Sequence, residues 1–313
     1  MNRKNLMLAA AFAAMATAVA TPAAAHRMWL LPSITVLADT NQSVTFDAAV
    51  SNDLFYADHF PMNVDMVKVW APDGTPGKVE NAARLRNRAV FDVAIDKPGT
   101  WKIGSETANV TGTFKVNGET WGVGMRRPAG PAPARPGSAA MGGPAGNVAG
   151  NLAGNAAGGR LAIAPDHMVA RVEDIPANAT DLNLTESLSR NFVFVTAGTP
   201  TAQAFAPSGK GLEMVPLTHP DELVSDEPGR FRFLIDGQPA SGLKVTVVPG
   251  GKRYRESEGA QELTTGSDGT VTVKWPVPGF YWLNASLADD HPASAKAAHR
   301  RVSYTATLEV VAP

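Results

Sequence analysis

The chain has 313 residues, a formal net charge of −1 and no cysteine. This length accommodates two domains of ordinary size, and the near-neutral charge gives no basis for expecting nucleic-acid binding. The lack of cysteine excludes thiol catalysis and thiolate metal sites. Any metal would have to be held by His, Asp, Glu, Met or backbone groups.

The first predicted element is a secretory signal peptide over residues 1–25. Arg3 and Lys4 precede an apolar run that ends at Ala20, and Ala23 and Ala25 fit the small-residue cleavage pattern. The run is shorter than the about 20 residues that a bilayer span needs. We therefore expect a periplasmic protein with no transmembrane segment in its mature chain. Cleavage would follow either Ala25 or Ala23.

Short runs with period-2 alternation follow the leader. Turn signals such as Asn117-Gly118 separate them, and this spacing predicts an antiparallel β-sandwich. The runs are SVTFDAAVS (43–51), MVKVWAP (66–72), RAVFDVAI (88–95), TWKIGS (100–105) and TGTFKVN (111–117).

Residues 122–160 differ in composition from the rest of the chain, because they are nearly all Ala, Gly, Pro and Asn. Such a segment buries too little apolar surface to offset its ordering entropy. Strand-like sequence resumes at 160–165, 181–187 and 190–198. We interpret the segment as a flexible insertion in an N-terminal sandwich domain of residues 26–210. An interdomain linker is the alternative.

A second sandwich domain is predicted over residues 211–313. Its clearest strand is GTVTVKW (269–275), in which Val271, Val273 and Trp275 alternate with polar residues behind an Asp268-Gly269 turn. The fold class is therefore all-β, with two antiparallel β-sandwiches. The other runs are LEMVPL (212–217), GRFRFLID (229–236), LKVTVVPG (243–250), GFYWLNASL (279–287) and VSYTATLEVV (302–311).

His26 is the first candidate metal ligand. If cleavage follows Ala25, His26 becomes the terminal residue, and its α-amine and Nδ1 form a chelate that suits Cu or Ni. If cleavage follows Ala23, an Ala-Ala-His start binds Cu(II) or Ni(II) through the amine, two backbone nitrogens and the imidazole. The alternative is a capped or solvated histidine beside an export site.

The loop SNDLFYADHF (51–60) supplies the other candidate ligands, Asp58 and His59. Loops on a rigid sandwich often carry ligand groups, and an Asp-His pair provides one ligand and one group that orients it. The alternative is a turn whose aspartates cap backbone N–H groups while its aromatic residues pack. We expect His219 to serve structure, and His291 and His299 to lie in a polar surface loop.

A leader followed by HRMWLLPS, then LEMVPLTHPDELV, DGQPASGLKV and TTGSDGTVTVKW, resembles the DUF4198 family of exported bacterial β-proteins. The resemblance covers essentially the whole mature chain, apart from the Ala/Gly/Pro segment. Some members accompany nickel and cobalt uptake transporters, and the C-terminal half is similar to the normally non-catalytic carboxypeptidase-regulatory or transthyretin-like sandwich. Of the site residues, the family motif implies only His26.

These observations favour a non-catalytic periplasmic protein that binds nickel, cobalt, copper or iron for metal uptake or homeostasis. Its partner would be an inner-membrane metal transporter or another envelope protein. Glycine-rich nucleotide fingerprints and the common hydrolase motifs are missing from the sequence. The alternatives are a structural or ligand-binding envelope module without metal, and a copper redox enzyme with a histidine brace.

Overall fold

The computed structural model describes residues 26–124 and 163–313. The predicted leader and nearly all of the predicted insertion lie outside these residues. The strands, in chain order, are β1 Arg27–Pro32, β2 Val36–Leu37, β3 Gln42–Ser51, β4 Phe60–Pro61, β5 Lys68–Trp70, β6 Glu80–Arg84, β7 Ala89–Ile95, β8 Gly99–Val116, β9 Glu119–Val123, β10 Met168–Val169, β11 Thr180–Ala197, β12 Leu212–Pro216, β13 Gly229–Ile235, β14 Gln238–Pro239, β15 Lys244–Pro249, β16 Gln261–Thr264, β17 Thr270–Val273, β18 Gly279–Asp289 and β19 His299–Val310.

The only helices in the two described ranges are short 3₁₀ turns, so the all-β prediction is confirmed. These turns are Val64–Met66, Pro165–His167, Val172–Asp174, Gln203–Phe205, Pro220–Glu222 and Lys252–Tyr254. One predicted strand is wrong in its described part. Residues 163–165 do not form a strand. Pro165 begins a 3₁₀ turn, and its ring leaves no backbone N–H to donate to a neighbouring strand.

The strands form three sheets. The first has the order β1-β3-β7-β6, with β4 also paired to β3. The second is the large central sheet, in the order β10-β9-β8-β11-β19-β18-β15-β16, with β2 on β11 and β5 on β8. The third has the order β12-β13-β14, with β17 on β13. Most pairs are antiparallel, as the hairpin signals predict.

The central sheet runs through both halves of the chain. Strand β11 pairs in parallel with β19 from Thr185↔His299 to Val193↔Thr307, and β8 pairs with the other edge of β11. Hydrogen bonding therefore crosses the predicted domain boundary near residue 211, although β12 begins just after it. The boundary itself stays a prediction.

Two cores lie on opposite faces of this sheet, and β11 contributes to both. Val193 and Val195 point into the core between the central sheet and the first sheet. Phe192 and Phe194 point into the core between the central sheet and the third. Because strand side chains alternate between faces, one strand supports two cores. Each buried Val or Phe stabilises the fold by roughly 1.5–3 kcal/mol relative to exposure.

Candidate functional site

His26 and His59 are brought together by the last residues of β3. Strand β1 pairs with β3 through Arg27↔Ser51, directly after His26. Strand β4 pairs with β3 through Phe60↔Val50, directly after His59. The two histidines are 33 positions apart in sequence (59 − 26). They become neighbours because the strands that follow them both begin opposite the last residues of β3.

The two imidazole rings are stacked. Their centroids are 4.0 Å apart, with an angle of 18° between the ring planes. Phe60 packs against His59 with a centroid distance of 4.6 Å. Burial lowers the pKa of His59, the neighbouring His26 lowers it further, and Asp58 opposes both effects. His59 is therefore neutral at neutral pH, which is the form that binds metal.

The stacked arrangement is not itself a coordination geometry. A metal–imidazole bond of about 2.0–2.1 Å lies in the plane of the ring, along the nitrogen lone pair. Two nearly parallel rings 4.0 Å apart cannot both point their lone pairs at one ion. Shared coordination therefore requires at least one ring to rotate. Within residues 26–124 and 163–313, no three His, Cys, Asp or Glu side chains are grouped to hold a metal.

Asp58, the third candidate ligand, accepts two hydrogen bonds from Asn52. Its Oδ1 accepts a hydrogen bond from the backbone N–H of Asn52 at 3.0 Å, and its Oδ2 accepts one from Asn52 Nδ2 at 3.4 Å. The carboxylate thus closes the loop between β3 and β4, as the turn alternative expects. Its influence on the histidine pair is electrostatic, because it raises the pKa of His59.

The loop that carries His59 contains a residue with a strained backbone conformation. Phe55 has φ of 61°, a left-handed conformation that is an outlier for a bulky residue. Such a conformation costs about 1–3 kcal/mol and persists only where surrounding structure enforces it. Phe55 packs edge-on against Trp29 and Phe280, with centroid distances of 5.7 and 6.1 Å. Ser51 also fixes the loop, since its hydroxyl donates to Asp53 O at 2.6 Å.

An apolar cavity of about 230 Å³ opens beside Phe55. No local sequence pattern indicates this cavity, because its lining comes from segments far apart in the chain. The lining includes Leu31, Phe55, Pro249, Phe280 and Tyr281.

The other four histidines lie in separate surroundings. His167 stacks on Trp121 with a centroid distance of 4.7 Å. His299 Nδ1 lies 2.7 Å from Asp290 Oδ1 in an exposed pair, and His291 is exposed nearby. His219 is partly buried, and its Nδ1 accepts from the backbone N–H of Asp221 at 3.1 Å.

None of the helices within the two described ranges is both long and apolar enough to span a bilayer. No curated protein matches the chain. A solved structure, the D0-D1 domain of Intimin, is 11% identical, and the match covers 90% of this chain and 97% of that chain with a TM-score of 0.19. A TM-score this low supports no statement about fold or function.

A family model does match. The model described as a domain of unknown function (DUF4198) matches residues 23–289. That range takes in both candidate histidines, the central sheet up to β18, and the sequence motifs from which the resemblance was expected. The chain belongs to the DUF4198 family.

Proposed function

We propose that this is an exported, non-catalytic protein that binds a transition metal in the periplasm for metal uptake or homeostasis. The observation that carries the proposal is the His26–His59 pair, whose ring centroids are 4.0 Å apart. The two residues directly precede separate strands, β1 and β4. Nickel, cobalt, copper and iron all accept such nitrogen ligands.

Removal of the leader after Ala25 would complete the site. The α-amine of His26 and its own Nδ1 form a chelate, and a rotated His59 ring adds a third nitrogen. The lowered pKa of His59 supports this role, because a neutral imidazole does not have to release a proton before it binds the ion. A three-nitrogen set of this kind favours Cu(II) or Ni(II).

The partner we propose is an inner-membrane metal transporter or another envelope protein. The signal-like N-terminus supports export, and association of some DUF4198 members with nickel and cobalt transporters supports the choice of partner.

Calorimetry on protein purified from the periplasm tests the proposal. We expect about one equivalent of Cu(II) or Ni(II) to bind. Loss of a group that only orients a metal ligand commonly costs about ten- to hundredfold in affinity. His26→Ala and His59→Ala remove proposed ligands themselves, so each should weaken binding by at least about tenfold. His291→Ala is the matched control, since His291 is exposed and lies in the 289–299 loop.

The site of cleavage changes the expected pattern. If cleavage follows Ala23, the Ala-Ala-His terminus supplies four nitrogens without His59, so His59→Ala should leave the affinity nearly unchanged. Intact mass of the same sample distinguishes the two termini. Absence of binding to protein with either terminus would contradict the proposal and leave an envelope module without metal as the better description.

A further inference from the structure

Both segments that carry the candidate ligands contact one loop from the C-terminal half of the chain. This loop, residues 250–258, joins β15 to β16 and contains the Lys252–Tyr254 turn. It lies about 200 positions away in sequence from the histidines, so no local pattern could have pointed to it.

The first contact fixes the start of β1. Arg27, directly after His26, makes a two-pronged ion pair with Glu258, in which Nη2 donates to Oε2 at 3.1 Å and Nη1 contacts Oε1. The Arg27 guanidinium also lies over the ring of Trp282, 5.1 Å from its centroid. Both charged side chains are largely covered, with 23% and 29% of their surface exposed. Planar, paired geometry of this kind is the strongest form of ion pair.

The second contact fixes the loop that carries His59. A Cβ built on Gly250 would lie 2.7 Å from Phe55 Cδ2, so the ring of Phe55 occupies the space beside this glycine. One residue further, the Tyr56 ring lies 3.4 Å from the Arg253 guanidinium carbon. These contacts come from the first part of the 250–258 loop, whereas Glu258, which contacts Arg27, is its last residue.

The loop itself is rigidly held. Arg255 Nη1 donates to Gly250 O at 2.6 Å, and Nη2 donates to Pro249 O at 3.0 Å and to Glu258 O at 3.1 Å. The Arg255 guanidinium therefore connects Gly250 at the start of the loop, Glu258 at its end and Pro249 at the end of β15. A side chain that satisfies three carbonyl groups in this way holds these parts of the loop together.

We propose that the 250–258 loop is a clamp that pre-organises the histidine pair, with Glu258 and Gly250 as its positioning residues. Glu258 holds the start of β1 through Arg27, and Gly250 makes room for the Phe55 side chain of the His59 loop. This inference rests on the proposed function for its purpose, but the clamp and the histidine pair are both present without metal.

The position of His26 next to the predicted cleavage site explains why a clamp would be required. If cleavage follows Ala25, His26 is the terminal residue, and chain termini fray unless they are tied down. The first ladder pair of β1 is Arg27↔Ser51, so His26 itself has no strand partner. An anchor on the adjacent residue removes most of the conformational freedom that metal binding would otherwise have to remove.

The test records the nuclear Overhauser effect between the His26 and His59 ring protons by NMR in the metal-free processed protein, together with the affinity of that protein for Cu(II). Glu258→Gln releases Arg27 while keeping the side-chain shape. Two rings whose centroids are 4.0 Å apart give a strong effect, which fades when His26 moves away from His59.

We expect Glu258→Gln to weaken the His26–His59 ring effect and to weaken Cu(II) binding by about tenfold, the usual effect of losing an outer-shell partner. Gly250→Ala should do the same with no change of charge, because its Cβ displaces Phe55. Glu256→Gln is the matched control, since Glu256 is exposed in the same loop. It should change neither quantity.

An unchanged His26–His59 ring effect in both clamp variants would overturn the inference, whatever the metal affinity. Failure of the unaltered protein to bind Cu(II) would overturn the proposed function, and the NMR measurement on the metal-free protein would still decide whether the clamp exists.

Discussion

At the scale of single residues, the site depends on the neutral state of His59. Its pKa is lowered by burial and by His26. A histidine whose pKa lies below its usual value of about 6.5 stays neutral to a lower pH than an unperturbed histidine does. Protons therefore compete with a metal at His59 only at a lower pH than they would at an exposed histidine.

This leads to a pH-dependent prediction for His59. The ratio of metal affinities between the unaltered protein and His59→Ala isolates the contribution of His59 from that of the amine. We expect the ratio to begin to shrink at a lower pH than the usual histidine pKa of about 6.5 would give, and then to shrink by up to about tenfold per unit. Calorimetry at a series of pH values measures it. A ratio that begins to shrink at or above about pH 6.5 would contradict the lowered pKa.

At the scale of secondary-structure elements, a buried hydrogen-bonded chain links β8, β11 and the Pro220–Glu222 turn. His219 Nε2 lies 3.0 Å from Thr100 Oγ1, and Thr100 Oγ1 lies 2.9 Å from Thr196 Oγ1. Thr196 Oγ1 then donates to Asp221 Oδ2 at 2.5 Å. The structure thus gives His219 hydrogen bonds that join two halves of the chain, in keeping with the structural role expected from the sequence.

Asp221 makes the stability of this junction depend on pH. Burial raises the pKa of Asp221 to about 7, with smaller contributions from Glu309 and Glu222, while the bond from Thr196 opposes them. The native state therefore binds more protons than the unfolded state between about pH 4 and pH 7, so the free energy of unfolding falls as pH rises through this range. Stability is highest below the unfolded pKa and is lost as pH approaches 7.

We expect urea unfolding to show this loss as roughly 2–4 kcal/mol between pH 4.5 and pH 8, given about 1.4 kcal/mol per pKa unit. Asp221→Asn should remove most of the difference, because the amide stays neutral at both pH values. Asp39→Asn, a change at an exposed aspartate, is the control. An unchanged pH dependence in Asp221→Asn would show that another group is responsible.

The sequence predicts some elements well and others poorly, for identifiable reasons. The run at 269–275 alternates cleanly, and the structure buries Val271, Val273 and Trp275 while exposing Thr272. The runs at 100–105 and 111–117 were expected as two strands but form the single 18-residue β8. Its middle part, around residues 106–113, is half-exposed on both faces, so no hydrophobic alternation marks it.

The candidate site, too, is only partly predictable from the sequence. The sequence indicates His26, Asp58 and His59 through their residue types and through the predicted signal peptide that precedes His26. It contains no signal for the register of β3 that places the two histidines side by side, or for the Arg27–Glu258 pair, whose members are 231 positions apart. Contacts of that separation follow from the packing of whole sheets.

At the scale of the whole molecule, the continuous central sheet couples the two halves. Strand β11 has Val193 and Val195 in one core and Phe192 and Phe194 in the other. Unfolding either half would expose one face of β11 and break its ladder with β8 or β19. The two cores should therefore unfold together, unlike domains joined only by a linker.

We expect a single cooperative transition in chemical denaturation. Phe91→Ala, in the core of the N-terminal half, should lower the free energy of unfolding by about 3–5 kcal/mol. It should also reduce protection of C-terminal core amides, such as that of Val247, in hydrogen exchange. Protection of Val247 that is unaffected by Phe91→Ala would contradict the coupling.

We propose above that His26 and His59 bind one metal ion together. X-ray absorption spectroscopy of the protein cut after Ala25 and loaded with one equivalent of Cu(II) counts the imidazoles around the metal directly. We expect two imidazole ligands in the unaltered protein and one in His59→Ala. One imidazole in both proteins, or none in either, would contradict this proposal.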